Sequence, residues 1–492
     1  MGPHSGVMMN SGHADISAMI AAKGFAGLTS DSREVKPGFL FAALPGSKTD
    51  GGEFIADAVK RGAIAVLARP EAEARAKALG VRFFADENPR LRLARTASEF
   101  FGTQPKTIAA VTGTNGKTSV AVFLREIWTA LGKRAASMGT IGVVTPNGEI
   151  ALAHTTPDAI QFHRLLAQLK GEGIEHLVVE ASSHGLDQYR LDGADIAAAA
   201  FTNITRDHLD YHATFDSYLA AKARLFGEVV RGDGVAVINA DADHAGAFLR
   251  VSRARGLRVL TVGEHGEDVK LVARVPHDNG QQLTIQYKTV RFDIELPLAG
   301  AFQASNALVA AGLAIGLGDA VEKVFAALAQ LKGAPGRLEK VAYAKSGAPI
   351  YIDYAHTPDA LETVLKALRT HTANKLHVVF GCGGDRDKGK RPLMGKAAAQ
   401  FADDVIVTDD NPRNEDAAAI RKEVLAGCPE AAEIGDRAEA IRAGVAALQS
   451  GDILVIAGKG HESGQIIGKE TRPFSDRDEA IKAAIETGGR AT

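Results

Sequence analysis

One end of a glycine-bearing turn carries a lysine and several hydroxyls: Gly113-Thr114-Asn115-Gly116-Lys117-Thr118-Ser119 follows directly on the β-rich run that begins at Thr107. A strand that turns through glycines into a helix aims several backbone N–H groups, and the positive end of the helix dipole, at one point. Lys117 adds a mobile cation there, and the Thr118 hydroxyl is a ligand for Mg2+. The chemistry this suits is binding the phosphates of a nucleotide. The usual eight-residue phosphate loop would place glycine at position 111, where this chain has Val111. An ordinary strand–turn–helix is therefore the competing reading of these residues.

A second concentration of reactive groups lies downstream. Glu180 closes the apolar run His176–Ala181 and precedes Ser182-Ser183-His184. A carboxylate there either holds Mg2+ opposite the loop threonine or caps the next helix. The segment from Thr202 to His212 is dense in ionisable groups, and its His208 either reaches a second metal ion or satisfies a buried hydrogen bond. Further on, four apolar runs end in DYAHTPD, GCGGDRDKGKRP, TDDNPRNE and GKGHE. Ligands of open α/β sheets gather beyond the carboxyl ends of the strands, so four such clusters point to one binding site.

The elements that must hold these groups follow from periodicity. Up to about Gly102, β-like runs (Phe39–Leu44, Ala63–Leu67) flank a helical pattern around Phe54–Lys60, and the stretch from Phe101 to Lys106 reads as a linker. The middle block places strands at His176–Ala181, Ala197–Ile204, Gly234–Asn239 and Val259–Val262 between helical stretches, the signature of βαβ units and a mostly parallel sheet. Looser alternation from Val269 to Leu296 predicts a small antiparallel extension. After a break at Gly333-Ala334-Pro335-Gly336, strands are expected at Pro349–Ala355, Leu376–Gly381, Val405–Thr408 and Ile453–Ala457. With 492 residues the chain suggests two to four domains.

Composition excludes more than it identifies. The chain is 46% hydrophobic and 24% charged, with 57 basic and 59 acidic residues, so nothing in its charge favours nucleic acid or a membrane surface. No apolar run reaches the length of a membrane span. The first dozen residues lack the basic-then-apolar order of a signal peptide. Two cysteines, Cys382 and Cys428, have no metal-type spacing and suit a reducing cytoplasm.

VTGTNGKTS, EASSHGLDQYRL, TNITRDHLDYH, DYAHTPDAL, GCGGDRDKGKRP, DDNPR and GKGHE occur here in the order found in the Mur ligases. The chain resembles that family of ATP-dependent amide-forming ligases of peptidoglycan precursor synthesis from Asp31-Ser32-Arg33 to Phe474-Ser475-Asp476-Arg477. The resemblance implies an α/β fold of three domains. Residues 1–103 would form a small α/β domain for the UDP-substrate, 104–334 a phosphate-loop ATPase domain with a mostly parallel sheet, and 335–492 a Rossmann-like domain for the incoming amino acid. It implies a cytoplasmic monomer with Mg2+ as cofactor and ATP as co-substrate.

Its implications for individual residues are specific. Gly113 to Ser119, with Lys117 on the phosphates, would hold ATP together with Asn306, Arg337 and Asp353, and His356 shares the loop of Asp353. Thr118 and Glu180 would ligate the first Mg2+ and His208 the second. Lys222 falls where the family carries an N6-carboxylysine, although on the residues alone it reads as a solvated helix lysine. Ser32, Gly46, Ser47, Lys48 and Thr49 would contact the uridine nucleotide. Thr155, Thr156, Ser182, Gln188 and Arg190 would hold the muramoyl dipeptide and its phosphates. Asp410-Asn411-Pro412-Arg413 matches the signature of the diaminopimelate-adding members, with Arg386, Gly458 and Glu462 completing the pocket. Arg413 would clamp the distal carboxylate that lysine lacks. A buried guanidinium left facing lysine would cost roughly 2–5 kcal/mol. Gly52 and Gln303 depart from the family pattern.

The activity so implied is ATP-dependent addition of meso-2,6-diaminopimelate to the D-glutamate γ-carboxylate of UDP-N-acetylmuramoyl-L-alanyl-D-glutamate. The DNPR signature speaks against a folylpolyglutamate synthase or a lysine-adding ligase. The missing Asn/Thr-Lys-x-Asp signature speaks against a GTP switch, and the joint presence of Lys117, Glu180, His208 and Lys222 against an inactive relative.

Overall fold

The computed structural model describes residues 11–46, 49–205, 211–278 and 280–492, with backbone only for 11–15. Ser47, Lys48 and His208 therefore lie outside the described residues. By contact density the chain forms two units, Met1–Lys117 with Gly132–Ile238 and Ala242–Val259, and Thr118–Leu131 with Asn239–Asp241 and Leu260–Thr492.

The first unit opens with four parallel strands in sequential order, β1 (Gly27–Thr29), β2 (Phe39–Ala42), β3 (Ala63–Ala68) and β4 (Arg82–Ala85). The helix expected around Phe54 begins at Ile55, after a 3-10 turn at Gly51–Phe54. The helix Pro89–Phe101 runs into the expected linker and stops at Gly102, whose φ of 68° is left-handed. A second sheet follows, made of β5 (Thr107–Thr112), β6 (Ala135–Gly139), β7 (Gly142–Thr145), β8 (Gly148–Ile150), β9 (His176–Glu180), β10 (Ile196–Phe201) and β11 (Val230–Asn239). In it β5 lies between β9 and β10, and every pairing among β6, β9, β5, β10 and β11 is parallel. All six residues of β10 are buried, as a sheet covered on both faces requires. That strand stops at Phe201, three residues short of the expected Ile204, because Thr202 and Asn203 turn toward the phosphate loop.

In the second unit β12 (Arg258–Gly263) pairs in parallel with β13 (Val269–His277), and β14 (Gly280–Tyr287) and β15 (Val290–Leu296) continue antiparallel, as the looser alternation predicts. A seven-stranded sheet follows, from β16 (Glu339–Tyr343), β17 (Pro349–Asp353), β18 (Leu376–Phe380), β19 (Asp404–Val407), β20 (Ala432–Glu433), β21 (Ile453–Ala457) and, after the hairpin β22 (Gly464–Ile467) and β23 (Glu470–Pro473), β24 (Arg490–Ala491). Its two faces alternate residue by residue. Val378, Phe380, Val455 and Ala457 pack with the helices Pro358–Arg369 and Lys390–Phe401, while Val379, Leu454 and Ile456 pack with Arg437–Ala446 and Asp476–Glu486. Strand β21 lies between β17 and β18. This brings the carboxyl ends of β17, β18, β19 and β21 to one edge, a topological switch point.

Candidate active site

The phosphate loop is shorter than the eight-residue form because β5 runs past position 111. Val111 is a sheet residue in register with Ala200 and Glu180, so the loop begins at Gly113. A Cβ on Gly113 would overlap the Thr202 hydroxyl, and Gly116 has φ 86°. The segment after β10 braces the loop. The Thr114 and Asn115 N–H groups donate to the Asn203 carbonyl and side-chain Oδ1, both at 2.9 Å, and the Thr202 hydroxyl donates to the Asn115 carbonyl at 2.6 Å. Thr114 also shares a hydroxyl–hydroxyl bond with Tyr218 at 3.0 Å.

Two lysines meet on this loop. Lys117 Nζ donates to the carbonyls of Gly113 and Thr114, both at 2.8 Å, and Lys222 Nζ donates to the same Gly113 carbonyl at 2.7 Å. Lys222 is only 1% exposed, with its ammonium 4.6 Å from the Tyr218 ring centroid, so it is not a solvated helix lysine. Thr118 and Ser119 are buried in the first turn of the helix Lys117–Ala130.

Glu180 is 1% exposed and does not cap a helix, since the Ser182 hydroxyl accepts the Gly185 N–H as N-cap of the next one. Its carboxylate accepts the Thr140 N–H at 2.9 Å and the Thr140 hydroxyl at 3.1 Å, and a side chain at Gly139 would collide with it. From here one chain of hydrogen bonds collects all five residues expected on the muramoyl-dipeptide side. Thr140 meets Thr155 at 3.1 Å, and Thr156 donates to the Glu180 carbonyl at 2.7 Å and meets the Ser182 hydroxyl at 3.0 Å. Arg190 donates to the Thr156 carbonyl at 2.6 Å and to the Gln188 side chain at 2.8 Å. Of the expected uridine contacts, Ser32 is buried in a 3-10 turn capped by Asp31, while Gly46 and Thr49 are exposed.

In the second unit Asn306, Arg337 and Asp353 form one cluster. Buried Gln303, the departure from the family pattern, accepts from Asn306 at 3.3 Å and donates to the Arg337 carbonyl at 2.9 Å. Both Asp353 oxygens accept backbone N–H groups, from Leu338 and Ala355, each at 2.7 Å. Burial raises the Asp353 pKa to about 6, against the pull of Arg337. The Arg337 guanidinium stacks 4.4 Å from the Tyr354 ring centroid, and His356 Nδ1 meets the Tyr354 carbonyl at 2.8 Å.

The fourth cluster sits on the switch-point edge. Asn411 donates to Glu462 Oε2 at 3.0 Å, and its Oδ1 accepts the Ile466 N–H of the β22 strand at 2.9 Å. Arg413 takes a left-handed backbone, φ 52°, pinned by bonds from its N–H to the Ile466 carbonyl at 3.0 Å and from the Gly468 N–H to its own carbonyl at 2.6 Å. One guanidinium nitrogen donates to the Gly384 carbonyl at 2.8 Å, leaving Nε and the other terminal nitrogen without a hydrogen bond among the described residues. Arg386 is exposed on the loop after β18. That loop is tied down by Glu415, which accepts from Arg391 at 2.9 Å and from the Asp385 N–H at 2.6 Å. Those bonds, the Arg391 one foremost, hold its carboxyl down to about 2. A side chain at Gly458 would come within 2.7 Å of Asp410 Oδ2, and buried Pro412 turns the chain between Asn411 and Arg413.

Three family models match in order: the Mur ligase family, catalytic domain, over residues 24–101, the Mur ligase middle domain over 111–314, and the Mur ligase, glutamate ligase domain over 336–460. A UDP-N-acetylmuramoyl-L-alanyl-D-glutamate--2,6-diaminopimelate ligase of Bradyrhizobium diazoefficiens is 53% identical over 476 residues, covering 96% of this chain and 97% of its own. The chain belongs to the Mur ligase family. A ligase of the same description from Zymomonas mobilis is 51% identical, over 93% of this chain and 94% of its own. A solved structure so described superposes with a TM-score of 0.72 at 37% identity, covering 94% of this chain and 95% of that one. The ADP complex of a MurF ligase from Thermotoga maritima, 20% identical with a TM-score of 0.59, shares the Mur ligase fold.

Several residues of this Mur ligase site were not among those expected from sequence. Thr140, Thr202, Asn203 and Tyr218 brace Glu180 and the phosphate loop, and Lys459 lies buried among Asp410, Asn411 and Glu462. Thr202 and Asn203 carried a signal as the start of the polar segment after a buried strand, and Lys459 as a lysine between two glycines directly after another; Thr140 and Tyr218 carried none.

Proposed function

We propose that this chain joins meso-2,6-diaminopimelate to the D-glutamate γ-carboxylate of UDP-N-acetylmuramoyl-L-alanyl-D-glutamate, consuming ATP and releasing ADP and phosphate, in cytoplasmic peptidoglycan precursor synthesis. The observation that carries the choice of amino acid is the pairing of Arg413, with hydrogen-bonding capacity left on its guanidinium, and Glu462, bound through one oxygen only. A diamino diacid offers a carboxylate to the first and an ammonium to the second. Lysine offers only the ammonium.

A carboxylate does not accept an amine unactivated. The γ-phosphoryl of ATP passes to the glutamate oxygen, giving an acyl phosphate and ADP. The amine then attacks the acyl carbon, and phosphate leaves as the amide forms. Lys117 and the loop N–H groups of Gly113 and of Gly116 to Ser119, those of Thr114 and Asn115 being held by Asn203, offset charge on the transferring group. Asn306, Arg337 and Asp353 hold the nucleoside end. Thr155, Thr156, Ser182, Gln188 and Arg190 orient the muramoyl dipeptide, with Ser32 and the turn at Gly46 and Thr49 on the uridine. Arg386, Asp410, Asn411, Arg413, Gly458 and Glu462 receive the diamino acid.

Thr118 and Glu180 present hard oxygen donors, which suit Mg2+, and the ion would supply further charge neutralisation. His208 is the proposed ligand of a second ion. The two ammoniums of Lys117 and Lys222 converge on one carbonyl, a repulsion that a carbamate on Lys222 would turn into attraction. The segments 1–103, 104–334 and 335–492 are the proposed domains, and the proposed enzyme acts as a monomer.

The test is phosphate release by purified protein with ATP and Mg2+. Release and a tripeptide product, identified by mass spectrometry, are expected only when the UDP-dipeptide and diaminopimelate are both present. Equal turnover with L-lysine would overturn the assignment.

A further inference from the structure

Lys459 is 0% exposed and sits in Gly458-Lys459-Gly460, between glycines with φ 119° and 55°. Neither neighbour tolerates a side chain, since a Cβ on Gly458 would approach Asp410 Oδ2 to 2.7 Å and one on Gly460 would approach the Tyr354 Cβ to 2.8 Å. The backbone is thus shaped to turn one lysine inward. Its ammonium donates to Asn411 Oδ1 at 2.9 Å and to Glu462 Oε2 at 3.2 Å, and lies 3.9 Å from Asp410 Oδ1.

Two consequences follow. First, the bonds from Lys459 and from the Ile466 N–H settle which end of the Asn411 side chain is oxygen, so its NH2 must face Glu462. Second, Lys459 is the nearest cation to both acidic groups of the pocket. The buried Arg437 close by is committed to Asp476 through bonds of 2.6 and 2.7 Å. Without Lys459, Glu462 and Asp410 would lose their close cation and keep only more distant ones such as Arg437. Such a pocket would favour any cationic side chain, with or without a distal carboxylate.

We propose that Lys459 is a positioning and specificity-determining residue: it fixes the Asn411–Glu462 pair and offsets the charge of Glu462 and Asp410 at close range, so that a diamino acid is retained only when its distal carboxylate also engages Arg413. This rests on the diaminopimelate reading above.

The test compares wild type with Lys459→Met, of similar length but uncharged. Wild-type ligation of diaminopimelate is established first, and its absence would overturn the reading of function independently of Lys459. In Lys459→Met the KM for diaminopimelate should rise at least about tenfold while those for ATP and the UDP-dipeptide stay within about twofold. The ratio of kcat/KM for diaminopimelate over L-lysine should fall by a similar factor. If Lys459→Met does not accumulate as folded protein, Lys459→Gln replaces it, keeping a donor for the Asn411 oxygen without the charge. That variant should show the same confined rise in KM for the amino acid and the same fall in discrimination against L-lysine. An unchanged KM for diaminopimelate, a uniform rise for all three substrates, or intact discrimination against lysine in whichever variant folds would overturn the proposal.

Discussion

The phosphate loop and the proposed amino-acid pocket each bury a lysine, and the partners of the two differ. Lys222 rests on a backbone carbonyl and an aromatic face, beside a loop braced by hydroxyls and one asparagine. Lys459 rests on an amide oxygen and a carboxylate, in a pocket whose other members are Asp410, Arg413 and Arg386. The loop region is held mainly by dipoles, so positive charge remains for a highly anionic ligand. In the pocket Lys459 is already paired with Glu462 while Arg413 keeps donors for an anion, so it discriminates by what a wrong ligand would leave unpaired. One site is built for strength and the other for choice.

The sharpest way to break this comparison is at the loop. Lys117→Ala should lower kcat by on the order of 1,000-fold or more, as expected when a cation that stabilises a transferring phosphoryl group is lost. Near-normal turnover in the phosphate-release assay would remove Lys117 from the chemistry. At the pocket the expected change is in binding. Arg413→Ala should raise the KM for diaminopimelate on the order of 100-fold, with the KM for ATP within about twofold. Equal rises in both would make Arg413 a structural residue. Between the two regions, Thr140→Val removes a hydroxyl from the Glu180 carboxylate while keeping the side chain's shape. A loss of roughly tenfold in kcat/KM is expected, about the worth of one charge-assisted hydrogen bond, and rescue by raised Mg2+ would place the defect at the metal.

The smallest expected effect is a pH dependence at Asp353. Its folded pKa of about 6 lies above the ordinary 3.8, so its ionisation disfavours the fold at neutral pH. That penalty is relieved as pH falls through about 6 and is gone below the ordinary value. With Asp353 at the nucleoside end as proposed, nucleotide binding runs the other way, because the ionised carboxylate is the stronger acceptor for a nucleoside hydroxyl. The KM for ATP should rise roughly fourfold between pH 7 and about 5.5, and Asp353→Asn should flatten that profile. A profile identical in the two proteins would assign the titration to another group.

Legibility followed the same divide. The strand before Gly113, the four polar clusters after the C-terminal strands and the antiparallel patch from Val269 were readable because periodicity and glycine placement are local properties. Ile453–Ala457 coincides with β21, whereas the strands expected to reach Ile204 and Ala355 stop early. They stop where side chains turn back onto backbone: Thr202 onto the Asn115 carbonyl, and Asp353 onto the Ala355 N–H. Val111 weakened the loop pattern only because sequence does not reveal how far β5 extends. Thr140 holds Glu180 from 40 residues away, and no spacing rule encodes such a contact. Lys222 read as an ordinary helix lysine because burial is a tertiary property.

The left-handed backbone at Arg413 shapes the routes by which such an enzyme could drift to another amino acid. Arg413 itself already bears the cost of about 1–2 kcal/mol that a left-handed backbone imposes on most L-residues, and only β-branched replacements would add to it. The backbone bonds to Ile466 and Gly468 hold that conformation whatever the side chain, so the hairpin fixes where the residue at 413 starts and leaves its chemistry to a single codon.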